Sequence, residues 1–294
     1  MIQSAAMPAF RNLVPDSALN QEMIQLLRTS GGRAPADEVA GAVLQLPGID
    51  LPSAVLLLSE LVREDWRLTL DAESGELLLD CEDHDLRPLD QTDYVVFDVE
   101  TTGPKLPPGR VMELGACRVQ GGQIVSEFQT LLNPRAPIPP FVSRLTGITE
   151  SMVRSAPTFE EVADEWLLFA GDAVLVAHDA PFDVRSVNHE VSLVHPGRRM
   201  ANTYLCTVTL ARRLYPELGF YRLHALAEHF GVPLPNHHRA ASDALATAGV
   251  FLRLLEDLRQ HGVTNVGSAR RFNAKTPRRP KRKGVAQSAS SADF

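Results

Sequence analysis

The stretch Tyr94-Val-Val-Phe-Asp-Val-Glu-Thr-Thr-Gly103 constrains this chain more than any other. Four apolar or aromatic residues lead into Asp98 and Glu100, and the chain then turns at Thr101-Thr102-Gly103-Pro104. Such a run reads as a buried β-strand that ends in a turn. Strand side chains alternate with a period of two, so Asp98 and Glu100 leave the same face at the C-terminal end. Two carboxylates held that close raise each other's pKa unless a cation lies between them. A hard divalent ion such as Mg²⁺ or Mn²⁺ is the natural occupant. A polar strand end running into a turn would look the same, so the decision rests on matching groups further along.

Composition narrows the setting. At 294 residues, 44% hydrophobic and 22% charged, the chain has material for one large domain or two modest ones of ordinary soluble character. Its apolar runs, such as Ala54-Val-Leu-Leu-Leu58, are too short to cross a bilayer, and Met1 to Arg11 carries no secretory pattern. Cys81, Cys117 and Cys206 are odd in number and widely spaced, which fits a reducing cytoplasm better than a disulfide framework. A cytoplasmic protein without membrane contact is expected. The net charge of −7 hides an asymmetry: residues 1–90 hold 6 Lys/Arg against 16 Asp/Glu, and residues 268–294 hold 8 against 1.

In the acidic first part, apolar spacing predicts helices over about 20–29, 35–46 and 51–65, the last with Ser53 as N-cap. Two short strands, 66–70 and 76–80, flank the turn Ser74-Gly75. Three helices and a hairpin resemble a winged helix-turn-helix, a small α+β domain over residues 1–81. Its third helix sets Arg63 against Glu60, Glu64 and Asp65. Phosphate contacts need Lys and Arg, so a protein-docking or structural module is expected rather than a duplex reader. Residues 82–92 are polar and acidic and read as a linker.

The body, residues 93–264, continues with strands over 110–119 and 123–132 joined at Gly121-Gly122. A proline-rich loop follows, then a turn at Leu145-Thr-Gly-Ile-Thr149 and a helix over 158–169. The short apolar strand 173–177 reads as buried on both faces. Helices over 180–194, 208–215, 223–230 and 240–258 complete an α/β domain with a mixed central sheet. Asp183 falls at a helix start just beyond the buried strand. His237, His238 and Asp243 cluster at the start of the last helix. Singly, each is as readily a solvated loop histidine or a helix-start acid.

Taken together, Phe97-Asp-Val-Glu-Thr-Thr-Gly103, His178-Asp-Ala-Pro-Phe-Asp183 and His238-Arg-Ala-Ala-Ser-Asp243 resemble, in order and local context, the DEDDh exonucleases. Within that family the body is most similar to the proofreading epsilon group of bacterial DNA polymerase III and its free-standing relatives. Glu113-Leu-Gly-Ala116 and Leu145-Thr-Gly-Ile-Thr149 fit auxiliary patterns of the family. The resemblance implies a ribonuclease H-like fold and removal of nucleoside 5′-monophosphates from 3′ ends by two divalent metal ions, Mg²⁺ or Mn²⁺. It implies Asp98, Glu100, Asp183 and Asp243 as metal ligands, and His238 as general base with His237 as its neighbour. Thr101, Thr102 and His178 are implied as contacts to the terminal nucleotide. Four carboxylates make physical sense, because two cations about 4 Å apart repel and need several anions between them. Asp179 stands where many relatives carry Asn, and is expected to face solvent. Glu113 is either a supporting residue or an ordinary strand glutamate.

Residues 265–294 mix basic residues with Pro, Gly and Ala, a composition expected to stay disordered. Such an arm would serve either as a nucleic-acid contact or as a solubilising tail. The expected partner is single-stranded DNA at its 3′ end, with RNA as the alternative substrate. A competing reading is a non-catalytic scaffold that binds nucleic acid and recruits a protein partner through the acidic module.

Overall fold

The computed structural model describes residues 10–80, 83–104, 109–235 and 237–272. Strand β1 (Leu13–Pro15) precedes the first module yet pairs antiparallel with Arg198–Met200, far along the chain. The module then runs α1 (Ala18–Thr29), β2 (Arg33–Pro35), α2 (Ala36–Val43), α3 (Leu51–Val62), β3 (Leu68–Asp71) and β4 (Glu76–Leu79). The three strands form an antiparallel sheet in the order β2-β4-β3. Its core joins positions the helical spacing selects, including Met23, Leu27, Val39 and Leu58, to Leu77 of β4. The expected helices and hairpin are all present. Strand β2 was not expected, because three residues are too few for periodicity to register. The N-cap of α3 is Asp50, whose carboxylate accepts from Ser53 N–H at 3.0 Å, so Ser53 sits inside the helix.

The segment read as a linker is held down along its described part. His84–Leu86 forms a 3₁₀ turn, and Pro88 bridges to Asn265. The expected disordered tail begins instead with a short helix, Val266–Arg271, whose Arg270 and Arg271 both bind Asp85. The apolar residues Val266 and Ala269 anchor it against the body. Residues 273–294, the rest of that tail, lie outside the described residues.

The body is built on a five-stranded mixed sheet. Strands β5 (Tyr94–Thr101), β6 (Val111–Gln120) and β7 (Gln123–Leu131) form an antiparallel meander. Helices α4 (Pro140–Thr146), α5 (Glu150–Val153) and α6 (Phe159–Ala170) follow. The motif read as a turn at Leu145–Thr149 is the end of α4, with Gly147 left-handed at its C-cap (φ 72°). Then come β8 (Val174–Ala177), α7 (Ala180–Val194), β9 (Arg198–Met200), β10 (Tyr204–Cys206), α8 (Thr207–Leu214), α9 (Leu223–Phe230), α10 (Ala240–Gln260) and α11 (Val266–Arg271). The sheet order is β10-β8-β5-β6-β7, with β8 parallel to both β5 and β10. The edge strand β10 and the three-residue β9 escaped the sequence pattern.

The sheet divides the core in two. Tyr94 and Val96 of β5 pack with Phe251, Leu254 and Leu258 of α10 on one face. Val95, Phe97 and Val99 pack with Trp166 of α6 and Val187 and Val191 of α7 on the other. The period of two therefore turns Asp98 and Glu100 toward the α10 face. Gly115 of β6 lies opposite Asp98 in the strand register. A Cβ there would stand 2.2 Å from the backbone nitrogen of Ala241, so only glycine lets the first turn of α10 settle onto the sheet.

Candidate active site

Three elements converge at the C-terminal end of β5. The strand brings Asp98 and Glu100, the first turn of α7 brings Asp183, and the first turn of α10 brings Asp243. They line a cleft of about 650 Å³ together with His178, Asp179, Phe182, Tyr221, His237 and His238. One ligand oxygen from each of Asp98, Glu100 and Asp243 lies within 4.8 Å of the others. Asp183 and Asp243 are each 4% exposed. The four acids predicted to form one site thus stand together in this cleft.

Their electrostatics are those of charges short of a counter-ion. Burial, followed by repulsion from Asp183 and Glu100, pushes Asp98 well above the usual carboxylate range. Glu100 is pushed up to about 8, first by burial and then by Asp243 and Glu113, against a smaller opposing pull from Arg239. Asp183 is also pushed up to about 8, chiefly by burial, with a backbone N–H of Val99 partly offsetting it and Asp179 adding repulsion. A set of oxygen donors this close, half-buried or buried and mutually repelling, suits a hard divalent cation. Imidazole adds a fit for softer ions, since His237, His238 and Asp243 also bring ligand atoms within 4.8 Å of one another.

The two histidines differ. His237 Nδ1–H donates to Asp243 Oδ1 at 3.0 Å. His238 contributes its backbone N–H to Asp243 Oδ2 at 2.9 Å and adopts a left-handed φ of 66°. The rings stack with centroids 3.9 Å apart. Burial and the neighbouring His237 lower the His238 pKa, which favours a neutral imidazole near neutral pH.

His178 lines the cleft, and the protein itself engages both of its ring nitrogens. Nε2 lies 2.9 Å from the Tyr221 carbonyl and Nδ1 lies 3.0 Å from the Thr207 hydroxyl. Burial lowers its pKa to about 4, so the ring is neutral. A carbonyl only accepts, so Nε2 carries the proton and Nδ1 accepts from Thr207. The ring therefore ties the Tyr221 segment to the sheet end. Thr101 donates its hydroxyl to Gly103 O at 2.8 Å, and Thr102 Oγ1 accepts from Arg110 N–H at 3.0 Å. Both threonines shape the turn after the strand. Asp179 is exposed at the cleft, as expected, although its charge reaches Asp183.

Two buried glutamates hold the cage walls. Glu113 of β6 receives Arg239 in a fork and accepts Ala240 N–H at 3.0 Å, which fixes the start of α10. Glu190 of α7 receives Arg110 in a fork at 2.9 and 2.8 Å and accepts Val111 N–H at 2.9 Å, which fixes α7 against β6. Glu190 was missed in the sequence. Its signal is position, two turns beyond Asp183 on the same helix face. Arg212 and Arg222, also missed, add cationic side chains to the cleft lining.

Comparison with known proteins agrees with this geometry. Residues 95–251, more than half of the chain, match the family model described as Exonuclease. The chain belongs to the exonuclease family. The exonuclease body is 45% identical over 174 residues to DNA polymerase III PolC-type of Caldanaerobacter subterraneus subsp. tengcongensis, covering 59% of this chain and 12% of that protein. The chain therefore matches only about an eighth of the length of the PolC-type relatives. It is 41% identical over 165 residues to DNA polymerase III subunit epsilon of Aquifex aeolicus, covering 56% of this chain and 81% of that one. Among solved structures, the nuclease domain of 3′hExo, described as a DEDDh family member, superposes with a TM-score of 0.50 at 19% identity, covering 58% and 95% of the two chains. That likeness concerns the fold, a ribonuclease H-like exonuclease fold with a mixed central sheet. Among the described residues no helix is long and apolar enough to cross a membrane.

Proposed function

We propose that this chain removes nucleotides one at a time from the 3′ ends of DNA, with a preference for single strands, and releases nucleoside 5′-monophosphates. The observation that carries the reading is the gathering of Asp98, Glu100 and Asp243 oxygens within 4.8 Å, with buried Asp183 beside them and the imidazoles at the same cleft. Asp98, Glu100, Asp183 and Asp243 would hold two divalent ions, Mg²⁺ or Mn²⁺. When bound, such ions stabilise the attacking and leaving oxygens of an in-line displacement at phosphorus.

The protein's own groups account for the rest. His238 has no side-chain hydrogen-bond partner among the described residues, and its lowered pKa leaves it neutral, so it accepts the proton of the attacking water. His237 orients Asp243 through Nδ1. Tyr221, held by His178, and Phe182 offer rings beside the acids on which a terminal base can stack. Arg212 and Arg222 supply positive charge for the backbone phosphates of the strand being shortened.

The test is digestion of 3′-labelled single-stranded DNA, mismatched duplex and RNA by the purified chain, each with Mg²⁺, Mn²⁺ or EDTA. Stepwise shortening from the 3′ end, dependent on metal and fastest on single-stranded DNA, is expected. An RNA substrate that is cleaved faster than DNA would move the reading to an RNA exonuclease. No shortening of any substrate by the wild-type chain would reject the enzymatic reading.

A further inference from the structure

A second cavity, of about 210 Å³, lies at the opposite end of the sheet from the acid cage. It is bounded by α1, the entry to β3, the β9–β10 connection and α11, so both the first module and the exonuclease body wall it. Asp172 and Asn202, near the N-terminal ends of β8 and β10, line this cavity, whereas the cage stands at the C-terminal ends. At about 3.3 Å per strand residue, the two sites are on the order of 15 Å apart.

Its chemistry is the reverse of the cage. Arg11, Arg28, Arg67, Arg199 and Arg270 line it, and Asp172 is the one carboxylate among the lining residues. Asp172 is already bound by His84 at 2.9 Å and by Arg87. The other counter-charges come from residues outside the lining. Arg67 forks onto buried Asp65 through Nε and Nη2, at 2.7 and 2.6 Å. Arg199 Nε lies 3.4 Å from Asp16, Arg28 Nε 3.7 Å from Asp83, and Arg270 Nη1 2.7 Å from Asp85. Arg11 has no carboxylate partner among the described residues and lies over the Trp66 ring. The cations crowd one another: burial and then the Arg67 charge hold Arg199 below its usual pKa. A guanidinium carries five donors, and these pairings use only some of them.

Two uncharged groups sharpen the ligand class. Gln21 and Asn202 line the cavity, and one polar atom of each, Gln21 Nε2 and Asn202 Oδ1, is buried with no hydrogen-bond partner among the described residues. Unpaired buried groups of this kind are rare and call for a partner. The ligand therefore needs several acceptor oxygens, negative charge and one donor. A phosphate group meets all three, with its oxygens for the arginines and Gln21 and its hydroxyl, or that of an attached sugar, for Asn202. The volume falls below the range of about 300–1,000 Å³ usual for drug-sized ligands, which excludes a length of nucleic acid.

We infer that this junction cavity binds a phosphate group, either free or as the phosphate end of a monoester such as a mononucleotide whose remainder lies outside the cavity, with Arg11, Arg67 and Arg199 as its cationic contacts. An anion there relieves the crowding of the arginines and ties the first module to the exonuclease body.

The test is a titration of the full chain in EDTA at constant ionic strength, read by calorimetry and by thermal melting. Three probes are used: inorganic phosphate, deoxyadenosine 5′-monophosphate and deoxyadenosine. Saturable binding of both phosphate-bearing probes, a rise in Tm of several degrees and no response to the nucleoside are expected. Equal affinities identify a bare phosphate site, and tighter binding of the monophosphate identifies a mononucleotide site. Arg199→Gln and the exposed Arg11→Gln should each weaken binding at least tenfold, while Asp98→Asn in the cage leaves it unchanged. The inference is overturned if neither phosphate-bearing probe binds or if both arginine variants bind as wild type does. It is equally overturned if Asp98→Asn alone abolishes binding. Because the readout is binding without metal, failure of the exonuclease reading leaves this test intact.

Discussion

Glu113 and Glu190 are buried as deeply as Asp183 and Asp243, yet the two pairs are treated in opposite ways. Glu113 and Glu190 are 0% and 1% exposed, and each receives an arginine fork and a backbone N–H. Asp183 and Asp243, with Asp98 and Glu100, receive no arginine fork among the described residues, and three of the four are pushed toward the neutral form by burial and by neighbouring acids. A buried charge is tolerated when it is paired and hydrogen-bonded. The arginine-paired acids hold α7 and α10 against the sheet, whereas Asp183 and Asp243 at the starts of those helices have only backbone N–H and imidazole partners among the described residues, which leaves them free to bind a cation in the proposed reading. One set supplies stiffness; the other is the set proposed for chemistry.

The comparison can be broken from either side. Asp98→Ala removes a cage acid, and the rate of 3′ shortening should fall on the order of 1,000-fold, about 4 kcal/mol of barrier. The same variant should melt above wild type at pH 8 in EDTA, because it removes an acid whose ionisation burial and the neighbouring acids oppose. Glu190→Ala acts in the other direction. It leaves Arg110 unpaired and should cost about 3–5 kcal/mol of stability in a denaturant titration, with metal present or absent. Replacing both partners by methionine should recover part of that loss. If Asp98→Ala and Glu190→Ala shift stability alike, the distinction between the two sets fails.

Smaller effects sharpen it. His238→Ala should slow shortening on the order of 100-fold, the lower range for loss of a general base, with a pH profile that loses its limb near the histidine pKa. His237→Ala should cost less, since it orients Asp243 and touches no reacting atom in this reading. A larger effect of His237→Ala would reverse the two roles. The pH dependence of stability has a definite sign. Glu100 and Asp183 titrate at about 8 in the folded chain, above their unfolded values. Their contribution is fully present below about pH 4 and is lost as pH rises toward 8. In EDTA the Tm should therefore fall between pH 5 and 8, and added Mg²⁺ should reverse the fall at the alkaline end.

Much of this was legible beforehand for a physical reason. Asp98 and Glu100 share a face because a strand repeats every two residues. Helices α7, α9 and α10 announce themselves through apolar spacing, and Gly121-Gly122 marks its hairpin. What escaped was either too short to carry a period or settled by distant partners. Strands β1, β2, β9 and β10 have three residues each, and β1 finds its partner at β9 across most of the chain. The anchoring of the linker through Asp85 to Arg270 and Arg271 depends on residues about 185 positions apart. Glu113 carried a hint within its motif, but its Arg239 partner is visible only once β6 and α10 meet over Gly115. The different contacts that His237 and His238 make with Asp243, one through its ring and one through its backbone, go with the left-handed backbone at His238, which no spacing rule encodes.

The claim that the four acids, which receive no arginine among the described residues, hold a cation is tested most directly by titrating Mn²⁺ into metal-stripped chain near pH 7.5. Running the calorimetry in two buffers of different ionisation enthalpy counts the protons released. The account predicts saturable binding that expels protons from carboxyls still partly protonated at that pH, and loss of both effects in Asp98→Asn. Binding without proton release, or binding that Asp98→Asn leaves intact, would contradict it.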